Sequence, residues 1–340
     1  MPVRRFIARH QLIFCLLVLA IGAVVAEVVL HHRPLPAYVT DLIMVEAADA
    51  NVHRPSADLG LVYELNPGAK SVFKIPHTPP RTVTVNSLGL RDPERSVKKA
   101  PGVFRIIILG SSTTYGAAVN DNETFPLYTE EILNEHAPAG RRYEVWNAGV
   151  SAYTPIQMAA LGRRLIQMGC EPDAILFQIH LTGPRGFLWE QIDLRAFAAD
   201  PSLFAEHFCV PDWLAGVAPT LASRSRLALL LIAYYNRVLG VRRRDFRLNL
   251  VRLKHHQQAI KDFVRDYGAR IHLATINVPC LRPEDNREAA PVVAPAGLPI
   301  WCVDVNNNDR NVLLLHPPAY VNRLWAERLA ELLETRDGFH

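Results

Sequence analysis

The stretch that decides the fold is Arg105–Gly116, which reads RIIILGSSTTYG. Its apolar run, Ile106–Leu109, has the composition of a strand buried on both faces of a sheet. Small residues follow at once, and glycines among them let the backbone turn tightly after a rigid strand end. Ser112 lies at the tip of this turn, where neighbouring backbone N–H groups can stabilise an oxyanion. The pattern is typical of a nucleophilic serine, although a phosphate-binding turn or an ordinary loop fits the same residues.

Strand-like and helix-like segments alternate from residue 103 onward. The apolar runs are 103–109, 143–146, 174–179, 270–276 and 299–305, and the amphipathic stretches are 124–136, 155–168, 250–267 and 318–333. This alternation predicts an α/β fold, a flavodoxin-like three-layer sandwich with a mostly parallel sheet. Because such sheets bind ligands at the carboxyl ends of their strands, Ser112 lies where chemistry is expected.

The N-terminal segment has the composition of a membrane anchor. Only Glu27 interrupts the apolar run Leu12–Leu30, and about 19 residues at about 1.5 Å each nearly match a bilayer core of about 30 Å. Three arginines precede the run, which predicts a cytoplasmic tail (1–10), an anchor (11–30) and export of the remainder to a bacterial periplasm. A cleaved signal peptide is the alternative, with Val24-Val25-Ala26 as its site. The apolar run continues past that site and favours a single-pass inner-membrane protein.

The exported part is predicted to contain a lead-in segment and one large domain. Residues 31–100 are rich in proline and hold short alternating runs, such as 61–65 and 81–85, so small strands and loops are expected there. Residues 101–336 form the large domain. The stretch 183–248 interrupts the alternation and is apolar enough to be a helical insertion that packs over the sheet.

Composition excludes some classes of function. The formal charge is +4, with 49% apolar and 21% charged residues, which gives nucleic-acid binding little support. We expect no cofactor and no metal, since neither a CxxC motif nor a His-rich spacing is present. DVNNND (304–309) lacks the glycine and terminal glutamate of an EF-hand loop and is interpreted as a polar turn. Four of the five cysteines follow the anchor, and one or two disulfides are permitted in an oxidising compartment.

The serine turn and a second small-residue block together resemble the SGNH, or GDSL-type, hydrolase superfamily, specifically its membrane-anchored bacterial members. Members place the nucleophilic serine in a Gly-Asp-Ser or Gly-Ser-Ser turn after the first strand, and Ser112 occupies that position in GSSTTYG (110–116). The block NAGVS (147–151) follows the second strand, and Gly149 occupies the position of the oxyanion-hole glycine. The resemblance therefore implies a serine esterase fold and mechanism.

Two more segments extend the resemblance over roughly residues 60–335. VNSLGLRDPE (85–94) is similar to a lead-in segment that many members carry before the serine block. His316, followed by Pro317, stands before the last helix, where the superfamily places its catalytic histidine.

The chain departs from the superfamily at two signature positions. The third block normally ends in Gly-x-Asn-Asp, but PDAILFQIHLTG has His180 in place of the glycine and Thr182 in place of the oxyanion-hole asparagine. The last block is normally Asp-x-x-His, but Leu313 stands three residues before His316. Asp304 and Asp309 are the possible replacement carboxylates, and His180 is an alternative base, a substrate contact or a structural polar residue.

The sequence thus supports two functions of different classes. In the first, Ser112 attacks an ester-linked acyl group of an envelope glycan or lipid, His316 takes its proton, and Gly149 and Thr182 help to hold the oxyanion. In the second, the loss of two signature positions has left an inactive domain that binds or scaffolds membrane-protein partners. A phosphate-binding protein is a weaker third possibility, because the turn lacks the lysine of a P-loop.

Overall fold

The structure is a computed structural model that describes residues 2–43, 51–73, 80–180, 182–188, 192–280, 287–305 and 316–336. Within these ranges the side chains of residues 2–9, 73, 241, 279 and 280 are not described. The chain divides into two compact units. The smaller contains residues 1–44 and 193–248, and the larger contains 45–192 and 249–340.

The larger unit is built around a parallel sheet. The strands of this unit are β1 His53–Pro55, β2 Tyr63–Leu65, β3 Lys70–Phe73, β4 Arg81–Thr84, β5 Val103–Gly110, β6 Arg142–Gly149, β7 Ala174–Gln178, β8 His272–Cys280 and β9 Ile300–Asp304. Five of them form the parallel sheet in the order β6-β5-β7-β8-β9. Two antiparallel pairs, β1 with β2 and β3 with β4, precede it.

Helices follow the strands of the large sheet and also make up most of the smaller unit. They are α1 Pro2–His31, α2 Ala37–Ile43, α3 Ser112–Tyr115, α4 Phe125–Glu135, α5 Pro155–Gln167, α6 Ala196–Ala199, α7 Pro201–His207, α8 Asp212–Ala215, α9 Ala218–Arg224, α10 Arg226–Val238, α11 Val241–Tyr267, α12 Ala290–Val293 and α13 Ala319–Glu334. Short 3₁₀ turns occur at Asp121–Glu123 and Ala294–Ala296.

The sheet is covered on both faces, which explains the continuous apolar run of β5. Ile106 and Ile108 belong to a core that includes residues of α4 and α13, among them Trp325. On the opposite face Phe177 packs edge-on against Phe263 of α11, with ring centroids 5.3 Å apart. The predicted α/β sandwich with a parallel sheet is confirmed.

The observed elements match the predicted segments closely, with one clear difference. The helix expected at 250–267 begins nine residues earlier, at Val241. Gly240 and Gly268 bracket this helix, and neither glycine nor proline interrupts it between them. The first turns of α11 are rich in arginine, so a prediction based on the spacing of apolar residues does not detect this part of the helix.

The first helix has the properties expected of the N-terminal segment. His10–His31 has a mean hydropathy of 2.9 and is long and apolar enough to cross a membrane. A signal sequence meets the same criteria, so the orientation and the membrane remain predictions.

The structure contains a disulfide of the kind that the sequence analysis permits after the anchor. Cys302 of β9 is disulfide-bonded, whereas Cys15 and Cys170 are free thiols.

Candidate active site

Glycines allow α3 to pack directly on the ends of β5 and β6. A Cβ at Gly149 would lie 2.2 Å from Tyr115 N and 2.6 Å from the Thr114 carbonyl carbon, so any side chain there would displace the serine turn. A Cβ at Gly110 would lie 2.0 Å from Thr114 Oγ1. Gly116 ends α3 with φ at +81°, in the left-handed region that favours glycine. The small residues of the sequence pattern therefore serve a close approach of backbone to backbone.

The two serines of the turn differ in accessibility. Ser111 is fully buried, and its Oγ has no hydrogen-bond partner among the described residues. Ser112 is partly exposed at the first position of α3. Its N–H has no preceding helical carbonyl to bond and so remains available to an oxyanion. Ser112 is therefore the serine that a substrate can reach.

Arg91, in the lead-in segment, anchors the serine turn through hydrogen bonds to its backbone carbonyls. Its guanidinium has no exposed side-chain surface and donates to the carbonyl oxygens of Tyr115 (3.0 Å), Gly116 and Val119 (2.6 Å). It also pairs with Asp121 at 3.0 Å. A planar fork of five donors is suited to several carbonyls at once. Arg91 of the lead-in segment 85–94 therefore positions the serine turn, a role that the sequence did not predict.

The predicted oxyanion glycine already has an internal partner. Gly149 N–H donates to Asn147 Oδ1 at 3.0 Å. Asn147 is fully buried in β6, and this bond shapes the strand end. An oxyanion at Gly149 would have to compete with the Asn147 amide for this proton.

His180 lies beside the serine turn by topology. Gly110 of β5 pairs with Gln178 of β7, and Ser112 and His180 each follow two residues after that pair. Adjacent parallel strands are about 4.8 Å apart, so both residues occupy the same edge of the sheet. Thr114 Oγ1 donates to Gln178 Oε1 at 3.3 Å and ties the turn to this strand.

The two histidines interact electrostatically. Burial lowers the pKa of His180, and Glu288 opposes that shift by attraction. His316 is an exposed residue, yet partial desolvation of its ring lowers its pKa, and repulsion from His180 adds to the effect. Both shifts favour the neutral imidazole, the form in which a histidine accepts a proton.

Glu288 is a carboxylate that the sequence analysis missed. It accepts a hydrogen bond from Thr182 Oγ1 at 3.0 Å and acts on His180 by charge. It stands far from any signature block, in a segment without periodic pattern, so no sequence signal marked it. The Thr182 hydroxyl, proposed as an oxyanion donor, has its proton directed at this carboxylate.

The structure says less about the two aspartates proposed as replacement carboxylates and about the position of Leu313. Asp304 lies exposed at the end of β9, and Asp309 and Leu313 lie outside the described residues. Within the described ranges, no three His, Cys, Asp or Glu side chains are grouped to hold a metal ion.

Known proteins similar to this chain were found by structure only. No protein-family model matches the sequence, and no curated protein matches it. A structure assigned to the G-D-S-L lipolytic family, from Desulfitobacterium hafniense DCB-2, is 11% identical, with a TM-score of 0.36, over 67% of this chain and 98% of that one. A catalytic mutant of an acetylxylan esterase from Geobacillus stearothermophilus is 10% identical, with a TM-score of 0.37, over 69% and 95%.

A two-domain esterase active on acetylated mannans is 11% identical, with a TM-score of 0.39, over 68% of this chain and 49% of that one. At these identities and scores the similarity extends only to the general type of fold. The chemistry of this chain is therefore inferred from its own residues.

Proposed function

We propose that the protein is a serine hydrolase or acyltransferase that acts on ester-linked acyl groups. One observation carries the proposal: the accessible Ser112 and the imidazole of His180 follow paired positions of neighbouring strands. Repulsion from His180 also lowers the pKa of His316, which supports a second imidazole near the first. A serine hydroxyl and an imidazole at one sheet edge are the nucleophile and the base that acyl transfer needs.

In this mechanism the Ser112 hydroxyl attacks the acyl carbonyl while His316 accepts its proton. The tetrahedral oxyanion is held by the Ser112 N–H, with Gly149 N–H and the Thr182 hydroxyl as further donors once they leave their internal acceptors. Collapse expels the alcohol, which takes the proton back from His316. Water or an acceptor hydroxyl then attacks the acyl-serine by the same route.

The compartment suggests the substrate class. If α1 is a retained anchor with Arg4, Arg5 and Arg9 in the cytoplasm, the larger unit is in the periplasm. We therefore propose an acylated envelope glycan or lipid as the acyl donor or acceptor.

A second candidate function is an inactive domain that binds or scaffolds membrane-protein partners. Two of the predicted oxyanion donors, Gly149 N–H and Thr182 Oγ1, are engaged by Asn147 and Glu288. Loss of a single oxyanion donor costs about 10² to 10³ in turnover, so permanent engagement of both would leave little activity.

Hydrolysis of p-nitrophenyl acetate by the full chain in detergent separates the two functions. We expect Ser112→Ala to lower the rate by about 10³-fold or more, since the nucleophile is lost. Ser111→Ala is the matched control and should retain wild-type activity, because that hydroxyl is buried and has no partner in the described structure. A wild-type rate equal to that of Ser112→Ala would support the inactive domain instead.

A further inference from the structure

The helix α10 in the smaller unit is apolar on two opposite faces. Leu229, Ile232 and Ala233 are buried within the protein. Leu231, Tyr234 and Val238, which follow a helical spacing, are 62%, 60% and 65% exposed. A helix on the surface of a soluble domain normally carries polar residues on its outer side. We call these three exposed residues the α10 face.

The start of α10 is joined to the end of the candidate membrane span. The Glu27 carboxylate of α1 accepts hydrogen bonds from Ser225 Oγ (2.7 Å), Arg226 N (2.7 Å) and Leu227 N (3.1 Å). It thus caps the N-terminus of α10, where negative charge is favourable. Arg226 Nη1 donates in return to Leu30 O at 3.1 Å. Glu27 is the one charge in the apolar run, and this cap explains its presence.

If α1 crosses a bilayer, these bonds place α10 at the level where α1 leaves it. The candidate span ends at His31, four residues after Glu27. Tyr38 of α2 stacks under the guanidinium of Arg237 at 6.0 Å from the ring centroid, which holds the other end of α10 against the chain that follows the span. Tyrosine is enriched at this depth of membranes, because its ring is amphipathic.

The far end of α10 is basic and exposed. Arg237, Arg242 and Arg243 are exposed side chains at the end of α10 and the start of α11. An apolar face beside a cluster of arginines is the pattern of a helix that lies in the interface of a membrane with anionic lipid.

We propose that the α10 face lies in the interface of the bilayer that α1 crosses, with anionic phospholipid headgroups at Arg237, Arg242 and Arg243. The insertion is then a second membrane contact. It depends on α1 remaining in the mature chain, and it is independent of the chemistry at Ser112.

Photo-cross-linking of the full chain in lipid nanodiscs tests the proposal. The photoreactive amino acid p-benzoylphenylalanine is placed at position 231, 234 or 238, and at the exposed apolar positions 72 and 168 of the larger unit as controls. We expect lipid adducts by mass spectrometry at the three α10 positions, well above the controls. Cross-linked dimers would instead place a second copy on the α10 face, and adducts no more frequent than at the controls would leave it in water. Either result overturns the proposal.

A second experiment tests the assignment of anionic headgroups to the arginines. In nanodiscs of phosphatidylcholine with a minority of phosphatidylglycerol, adducts at position 238 should contain more phosphatidylglycerol than its share of the lipid. The double variant Arg242→Ala, Arg243→Ala should abolish that enrichment while the total adduct yield persists. An adduct composition equal to the bulk lipid in the wild-type arginine background would contradict the assignment of anionic headgroups.

Discussion

At the scale of single residues, the two histidines can be assigned separate roles. His180 lowers the pKa of His316 by repulsion, so His180→Gln should raise the pKa of His316 toward its ordinary value of about 6.5. If His316 is the base, activity requires its neutral form, and the acid limb of kcat/KM should move to higher pH in His180→Gln with the plateau above pH 7 largely retained.

The pH profile of p-nitrophenyl acetate hydrolysis measures this shift. Total loss of activity at every pH in His180→Gln, with His316→Gln still active, would exchange the two roles and make His180 the base.

Glu288 is expected to tune His180 by charge. Because its carboxylate raises the pKa of His180, Glu288→Gln should move the His180 titration to lower pH while keeping an acceptor for Thr182 Oγ1. Activity should fall by about tenfold at most, since an exposed carboxylate is screened by solvent. NMR titration of the imidazole resonances reads the shift directly. Asp304→Asn is the matched control, and a larger effect from that variant would make Asp304 the carboxylate partner instead.

At the scale of elements, the serine turn depends on Arg91. Arg91→Met removes a buried cation from four backbone carbonyls and from Asp121, and it should destabilise the larger unit by about 3 kcal/mol or more. Arg91→Lys should recover only part of this, because an ammonium group cannot reproduce the planar fork. The thermal unfolding midpoint is the measurement. The control Arg328→Met removes an exposed pair with Glu331 and should change stability by about 0.5 kcal/mol or less. Equal shifts in Arg91→Met and Arg328→Met would contradict the positioning role.

The approach of α3 to β6 gives a second prediction at this scale. Gly149→Ala should abolish ester hydrolysis, because its Cβ would meet backbone atoms of Thr114 and Tyr115 that cannot move without the serine turn. Gly216→Ala is the control, since a Cβ there meets nothing within 4 Å. Full activity in Gly149→Ala would mean that the turn is more adaptable than its packing indicates.

The elements that the sequence predicted well are those with a strong local pattern. The sequence predicts β5 at 103–109 and α4 at 124–136, and they occur at Val103–Gly110 and Phe125–Glu135. The prediction succeeds because the spacing of apolar residues and the nearby glycines and prolines set the bounds of these elements within a short stretch of sequence. Arg91 and Glu288 could not be found in this way. Their roles arise from contacts between segments distant in the chain, which no local period records. The predicted oxyanion role of Gly149 stays a prediction, now with Asn147 as a competitor for its proton.

At the scale of the whole molecule, the disulfide tests the compartment. A bond at Cys302 forms and persists in an oxidising compartment and is rare in the bacterial cytoplasm. In cells whose thiols are trapped by alkylation at lysis, we expect Cys302 to be protected until a reductant is added. The free thiol of Cys170 should be alkylated without reductant once the chain is denatured. Direct alkylation of Cys302 would place the larger unit in a reducing compartment and remove the basis for an envelope substrate.

The measurement that tests the central claim most directly is labelling by a fluorophosphonate, which reacts readily with an activated serine. The account predicts one adduct per chain, mapped to Ser112 by mass spectrometry, with a labelling rate that falls by about 10²-fold or more in His316→Ala, because the base that activates the hydroxyl is lost. An adduct on another residue, the absence of any adduct, or a Ser112 labelling rate that His316→Ala leaves unchanged would contradict the claim that Ser112 and His316 act together.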